Sequence, residues 1–300
     1  MQDYTTYLAD FTKWCDYPEE GRQALLDGYA KLRATPEAAR FFDSQVDLFE
    51  RDLLFDYPNT IAAMERVSEA CGVHVHTVRL LFALCLSRHT HELYKARGLS
   101  EDVFRMSMLD MKWKLIECKK HFDIWGAVAG LWFERFFRLT RFALGRLQFE
   151  PHFARHTYEK DGHIIHPGDV VINMHIPSCG PLTKESCMDA FHQAEQMFAP
   201  LFPGQPVPFM CSSWLLYPEH RKILPPTSRI LGFMDFFDIV DSRTSEGGDL
   251  WRIFYTDDYS DLDRLPQETS VQRAYVAMLK RGTPAGSGTG YFFMKDGEIL

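Results

Sequence analysis

Two spacings of apolar residues divide the chain near its midpoint. From residue 19 to about 146, apolar positions recur at alternating steps of three and four, which is the spacing of a buried helix face. One such stripe consists of Ala39, Phe42, Val46, Phe49 and Leu53. After Gly145 apolar and polar residues alternate, as they do along a strand. The change of period predicts an α+β protein, with an all-helical N-terminal domain at 1–146 and a mixed α/β C-terminal domain at 147–300.

Capping residues support the helical assignment. Thr35, Asn59 and Ser100 stand where helices would begin, and Gly72 and Gly98 stand where helices would end in a left-handed residue. These signals predict five or six helices, the last of which covers the aromatic segment GLWFERFFRLTRFALGR at 130–146. The arginines of that segment either hold phosphate groups or extend from a buried helix into solvent.

The C-terminal half alternates strand-like runs with two helices. The runs are RLQFEPHF, DVVINMHI, VPFMCSSWLL, ILGFMDFFDIV and LWRIFY. One helix is predicted at 184–198 with Thr183 as its N-cap, and a second follows Thr269, which stands at capping-box spacing from Gln272. The glycine-rich segment GTPAGSGTGYFF is predicted to be a flexible loop leading into a terminal strand at 291–294.

The charge and the cysteine content argue against several classes of function. A net charge of −8 would repel a nucleic-acid backbone or an anionic membrane surface. The N-terminus lacks the basic start and apolar run of a signal peptide, and no stretch reaches the roughly 18 apolar residues of a membrane span. A cytoplasmic protein is therefore expected. The 7 cysteines are scattered and form no CxxC pair, which indicates free thiols and no metal site.

The strand DVVINMHI carries the first candidate chemistry. It places Asn173 and His175 on one face, immediately before the turn PSCGPLT and the start of a helix. The N–H groups at such a helix start attract phosphate, although the same sequence also suits an ordinary strand-to-helix turn. His175 is a candidate general base, with a hydrogen-bonded structural histidine as the alternative.

The segment FMCSSWLLYP carries a second group of candidate catalytic residues. Cys211 or Ser213 would be the nucleophile of a covalent mechanism, yet neither lies in a recognisable nucleophile motif. Tyr217 is placed to protonate a leaving thiolate, or else is an amphipathic tyrosine at the rim of a core. Glu150, in LQFEP, is an acid that serves in catalysis or simply in a salt bridge.

Five segments in order resemble the GNAT-like C-terminal domain of a bacterial acyltransferase family whose N-terminal partner is a helical N-acyltransferase domain. They are LGRLQFEP at 144–151, INMHIPSCGPLT at 172–183, CSSWLLYP at 211–218, SRILGFMDFF at 228–237 and LPQETSVQRA at 265–274. The resemblance implies a mixed sheet with helices on its faces, and acetyl-CoA or another acyl-CoA as co-substrate. It departs from the superfamily at the pyrophosphate loop, where SCGPLT replaces the pattern Q/R-x-x-G-x-G/A.

Carried onto this chain, the resemblance implies direct attack of an amine on the thioester. His175 or Glu150 would be the base, and Tyr217 the acid. Ser213 and Trp214 would shape the acceptor pocket. The residues near the cofactor phosphates would be Ser178, Cys179, Gly180, Leu182 and Thr183.

Two other functions stay open at the level of sequence. One is a non-catalytic binding or regulatory protein on a degenerate acyltransferase fold, which the altered phosphate loop favours. The other is a thioesterase that uses Cys211 or Ser213 with His175. The acceptor would be a small-molecule or peptide amine, and the sequence leaves the oligomeric state open, with a homodimer as one option.

Overall fold

The computed structural model describes residues 3–51, 56–245 and 249–300, and the chain forms two compact units, Met1–Phe142 and Ala143–Leu300. The predicted α+β fold class is confirmed, with helices in the first unit and a mixed sheet with helices in the second. Leu53 of the predicted apolar stripe and the residues at 246–248 lie outside the described part of the chain.

The first unit is built around one helix that is buried on every side. Residues 80–87 of this helix are all buried, which is the pattern of a helix enclosed by others. Edge-to-face ring pairs fill the space beside it, such as Phe42 with Phe82 at 5.6 Å. The enclosed helix is α5 in the series α1 (Thr5–Trp14), α2 (Glu19–Arg33), α3 (Pro36–Arg51), α4 (Tyr57–Cys71), α5 (Val75–Ala96), α6 (Glu101–Phe122) and α7 (Glu134–Phe137).

The helix ends agree with the sequence signals except in a few places. Ser100 caps α6 and Gly72 ends α4 with φ of 66°, as predicted. Asn59 is not the cap of α4, because Asp56 accepts the hydrogen bond from its backbone N–H. Helix α1 lies before residue 19, where the predicted helical pattern began. Among the described residues no single helix has the length and apolarity of a membrane span; only α4 and α5 reach them jointly, and they are bent by 118°.

The predicted helix at 130–146 is wrong. A 3₁₀ turn at Gly130–Phe133 and the short α7 occupy its first half, and a strand follows at 142–144. Leu139 takes a left-handed conformation with φ of 53°, and the backbone N–H of Thr140 bonds to the Arg135 carbonyl. This is a Schellman ending, which usually carries glycine where Leu139 stands. The sequence therefore lacked the expected stop signal.

The second unit contains a seven-stranded sheet. Its order is β1-β2-β5-β6-β8-β7, with β9 paired to β8, and β3 and β4 form a separate hairpin. The strands are β1 (Phe142–Leu144), β2 (Leu147–Phe153), β3 (Tyr158–Lys160), β4 (His163–Ile165), β5 (Val170–His175), β6 (Val207–Ser213), β7 (Asp238–Ser245), β8 (Ala285–Lys295) and β9 (Glu298–Ile299). The helices are α8 (Lys184–Phe198), α9 (His220–Ile223), α10 (Arg229–Met234), α11 (Trp251–Phe254) and α12 (Ser270–Lys280).

Helix α8 joins the parallel strands β5 and β6 and covers one face of the sheet. Phe191 packs against Phe209 and Phe292 at ring distances of 6.1 and 5.0 Å. Both predicted helices are confirmed, since Thr183 and Thr269 each complete a capping box at the start of α8 and α12.

Two strand predictions in this half are corrected. LWRIFY forms the single turn α11, because Leu250, Ile253 and Phe254 are buried at helical spacing. The first part of ILGFMDFFDIV is α10, which Ser228 caps through the backbone N–H of Ile230, and only its end belongs to β7.

The glycine-rich segment is a strand and not a flexible loop. Gly286, Gly288 and Gly290 alternate along β8, and a Cβ on each would meet Tyr217, the Leu216 carbonyl and Phe237, respectively. Glycine is needed here because backbone and rings approach the strand closely.

Candidate active site

The parallel strands β5 and β6 separate along their length. Their described residues form only two register pairs, Ile172 with Phe209 and Asn173 with Met210. Beyond these pairs β5 continues beside β2 as far as His175, while β6 continues beside β8 as far as Ser213. The divergence opens a notch in the middle of the sheet, where backbone groups on both edges can bond to an inserted ligand.

Polar residues collect on one face of the sheet beside this notch. Glu150 of β2 stands opposite Asn173 of β5, and His175 lies two residues further on the same face. The register between Asn173 and Met210 places Ser212 on this face as well. Its hydroxyl accepts a hydrogen bond of 3.0 Å from Thr289 of β8. The opposite face carries the apolar contacts with α8.

Glu150 and His175 form a hydrogen-bonded pair. His175 Nε2 lies 2.8 Å from Glu150 Oε1, and the glutamate side chain is almost completely buried. An ionised carboxylate only accepts, so Nε2 carries the proton in this pair. The basic lone pair of the neutral ring is then on Nδ1. Asn173 Nδ2 approaches the same Nε2 at 3.2 Å and adds a third polar group to the cluster.

The loop between β5 and α8 has the residues predicted to meet phosphate groups. Thr183 Oγ1 accepts from the backbone N–H of Ser186, and Ser186 Oγ accepts from the backbone N–H of Thr183. Gly180 is left-handed with φ of 52°, and a Cβ there would point into open space. Cys179 Sγ approaches the Arg146 carbonyl at 3.8 Å. The loop thus has a fixed helix start and a glycine that no side chain obstructs.

Arg146 was grouped with the arginines of a predicted helix, and it instead sits at the start of the sheet. Its guanidinium donates to the carbonyls of Pro177, Gly180 and Pro181. Arg141 is also placed differently from the prediction: it is buried and stacks on the Trp132 ring at 3.8 Å.

Tyr217 lies just after β6, against a hydrophobic cluster. Its hydroxyl donates to the Pro284 carbonyl at 3.2 Å, and burial raises its pKa above the ordinary tyrosine value. The raised pKa keeps the phenol protonated at neutral pH, as a proton donor requires.

The two predicted acceptor-pocket residues have structural contacts of their own. Ser213 Oγ accepts from the backbone N–H of Leu215 and so caps the 3₁₀ turn that follows β6. Trp214 packs edge-on against His220 and Tyr275. By strand alternation Ser213 shares the face of Cys211, opposite to His175. Their role in binding stays a prediction.

Cys211 has the properties of a core residue. Its side chain is fully buried, and burial raises the pKa of the thiol far above neutral pH. A reactive cysteine needs the reverse environment, with a lowered pKa and access to substrate. Among the described residues no group of three metal-ligating side chains comes together.

Two residues of the polar face were not singled out from the sequence. Ser212 reaches this face only through the register of three strands, which a single sequence does not display. Thr289 fell in the predicted loop, although the alternation of glycines at 286, 288 and 290 was a readable strand signal. A cavity of about 360 Å³ lined by Ile164, Val170 and Pro208 lies at the other end of β5 and β6.

Comparisons with known proteins cover both units. The family described as GNAT-like C-terminal domain matches residues 141–292, and the family described as N-acyltransferase N-terminal domain matches residues 6–139. A search among curated proteins finds no match.

Solved acyltransferase structures share the fold. One, in complex with decanoyl-CoA and teicoplanin, has a TM-score of 0.71 and 22% identity, over 95% of this chain and 87% of its own. Another, in complex with decanoyl-CoA, has a TM-score of 0.72 and 20% identity, over 94% of this chain and 86% of its own. A mutant in complex with octanoyl-CoA has a TM-score of 0.71 and 21% identity, with coverage of 95% and 87%.

Proposed function

The chain belongs to the acyltransferases that join an N-acyltransferase N-terminal domain to a GNAT-like C-terminal domain, and on this premise we propose that it transfers an acyl group from acyl-CoA to an amine. The family and the acyltransferase assignment predicted from five sequence motifs are confirmed. The observation that supports the reaction is the notch between β5 and β6, with the Glu150–His175 pair on one side and the start of α8 at its end.

In the proposed donor site the thioester arm lies in the notch. Its amide groups form hydrogen bonds with the backbone N–H and C=O groups of β5 and β6 that the two strands, where they diverge, do not use to pair with each other. The phosphates lie against the loop that precedes α8, where backbone N–H groups and the helix dipole favour negative charge. Residues 178–180 and Leu182 supply those N–H groups, because Pro181 has none and the N–H of Thr183 bonds to Ser186.

In the proposed reaction the amine nitrogen attacks the thioester carbonyl carbon, forming the amide C–N bond as the C–S bond breaks. His175 accepts the amine proton at Nδ1, and Glu150 holds the ring and stabilises the charge that it acquires. The departing thiolate takes a proton from Tyr217 after its hydroxyl releases the Pro284 carbonyl. Ser212 and Thr289 line the side from which an acceptor reaches His175.

The test measures release of free CoA thiol with a series of donors and acceptors. The donors are acetyl-CoA, which the motifs imply, and octanoyl-CoA and decanoyl-CoA, which are bound in the solved relatives. The acceptors span small amines, amino sugars, peptides and teicoplanin, which is bound in one relative. Amine-dependent thiol release with formation of the matching amide, identified by mass spectrometry, supports the proposal. Thiol release without an amide product would indicate a thioesterase instead.

Variants of the polar pair test the base. His175→Gln should lower kcat/KM by about 10²- to 10⁴-fold, the usual contribution of a general base. Glu150→Gln keeps the shape of the side chain and removes its charge, so a smaller loss is expected. His166→Gln changes an exposed histidine and serves as the control. Full activity of His175→Gln would refute the assignment, and binding of CoA without any turnover would leave a binding protein as the better reading.

A further inference from the structure

Arg146 binds three carbonyl groups of one loop. Its Nη1 donates to the Pro177 carbonyl at 2.9 Å, its Nη2 to Gly180 at 3.2 Å and its Nε to Pro181 at 3.3 Å. All three carbonyls belong to the loop between β5 and α8. A single side chain from the turn between β1 and β2 therefore holds this loop at three of its carbonyls.

The direction of these carbonyls decides where the N–H groups of the loop point. A trans peptide is planar, and its C=O and N–H groups point in opposite directions. The Pro181 carbonyl faces Arg146, so the N–H of Leu182 points away from it. The same holds for the Ser178 N–H behind the Pro177 carbonyl. Arg146 thus holds the loop with these carbonyl groups facing its guanidinium and with the N–H groups behind them facing the opposite side of the loop.

The donors turned outward join the start of α8. The capping box already uses the N–H groups of Thr183 and Ser186. Within the described part of the chain, the N–H groups of Leu182 and Lys184 have no acceptor. Lys184 is the first residue of α8 and Leu182 immediately precedes its N-cap, so both donors lie where an anion at a helix start would bind.

The Arg146 guanidinium also places a positive charge next to the loop, on the side of the three carbonyls. Burial lowers the pKa of Arg146, but an arginine stays charged in proteins. An arginine has five N–H donors, and the three carbonyls engage one on each nitrogen, which leaves one on Nη1 and one on Nη2. A lysine has neither the planar fork nor the span to bind three carbonyls in this way.

We propose that Arg146 is a positioning residue for the acyl donor: by binding the carbonyls at 177, 180 and 181 it aims the loop N–H groups at a pyrophosphate, and so selects thioester carriers that contain one. This rests on the proposed acyl-CoA reaction. Arg146 acts through the loop and takes no part in the bond-making step.

The test compares two donors with the same acyl group, acyl-CoA and the S-acyl thioester of N-acetylcysteamine, which lacks the pyrophosphate. For Arg146→Gln, the ratio of kcat/KM for acyl-CoA to that for the short thioester should fall roughly tenfold or more, because a set of charge-assisted hydrogen bonds is lost. The loss should appear in KM and in the calorimetric Kd of CoA. For Arg146→Lys, the same ratio of kcat/KM values should lie between that of Arg146→Gln and that of the wild type.

Arg155→Gln is the matched control, since it removes one positive charge from an exposed position of the same unit and should leave the ratio unchanged. Equal losses on both donors would show that Arg146 supports only the fold, and an unchanged ratio would show that it does not position the loop; either result overturns the inference. A wild-type protein that binds no CoA and transfers no acyl group would instead overturn the proposed function on which the inference rests.

Discussion

His220 is a buried histidine that should make the C-terminal unit sensitive to mild acid. Its side chain is 0% exposed, Nε2 lies 2.7 Å from the Tyr275 hydroxyl, and Nδ1 lies 3.3 Å from the Leu215 carbonyl. Burial lowers its pKa from 6.5 to about 4, although the contact with the Leu215 carbonyl opposes the change. The ring is therefore neutral in the folded protein at pH values where the unfolded chain is protonated.

The sign of the effect follows from proton binding. Between pH 6.5 and about 4 the unfolded state binds more protons at this position than the folded state, so acid favours unfolding. At 1.36 kcal/mol for each pKa unit, the full interval corresponds to about 3 kcal/mol of unfolding free energy, of which about 2 kcal/mol is lost by pH 5. For a unit of this size, the loss of about 2 kcal/mol by pH 5 lowers Tm by roughly 4 to 8 °C.

The assay is the Tm of the full chain at pH 7.0, 6.0 and 5.0, for the wild type and His220→Asn. The variant keeps a donor for the Leu215 carbonyl and cannot titrate, so its Tm should fall less with acid than that of the wild type, whatever its stability at pH 7. His166→Asn, at an exposed histidine, should keep the wild-type slope. Parallel curves for the wild type and His220→Asn would refute the reasoning.

Two further predictions concern the strands beside the notch. Gly288→Ala should lower the free energy of unfolding by about 1–3 kcal/mol, because the added Cβ would meet the Leu216 carbonyl. Ser287→Ala, on the other face of β8, is the control and should change the free energy of unfolding by less than about 0.5 kcal/mol. Denaturant unfolding of both variants measures this, and equal stabilities would contradict it. Cys211→Ala should keep the kcat of folded protein in the thiol-release assay, because the thiol is buried and its pKa is raised; loss of turnover at unchanged CoA affinity would restore the covalent mechanism.

The elements predicted best were those with complete local signals. Helices α8 and α12 have an N-cap three residues before its partner and a continuous apolar stripe, so their boundaries follow from neighbouring residues alone. The strands β2 and β5 followed from simple alternation. In each case the residues that predict the element lie within one or two helical turns, or within a few strand residues, of one another.

The errors arose where the local signal was missing or misleading, or where a distant contact decided the conformation. Leu139 ends α7 in a left-handed conformation without the glycine that usually marks it. The glycines of β8 looked like a flexible loop, because nothing local shows that Tyr217, Leu216 and Phe237 pack against them. Composition made LWRIFY resemble a strand, although its buried positions have helical spacing.

For the candidate site, the sequence by itself determined the family, the two-domain order and most of the polar residue types, because ordered motifs and periodicity are properties of the chain. Only the tertiary structure paired Glu150 with His175, since they come from two strands separated by a hairpin and meet through an antiparallel register. It also gave Arg146 its contacts with a loop more than thirty residues away. Such contacts depend on strand order and register, which are set by the packing of the whole unit and leave no local mark in the sequence.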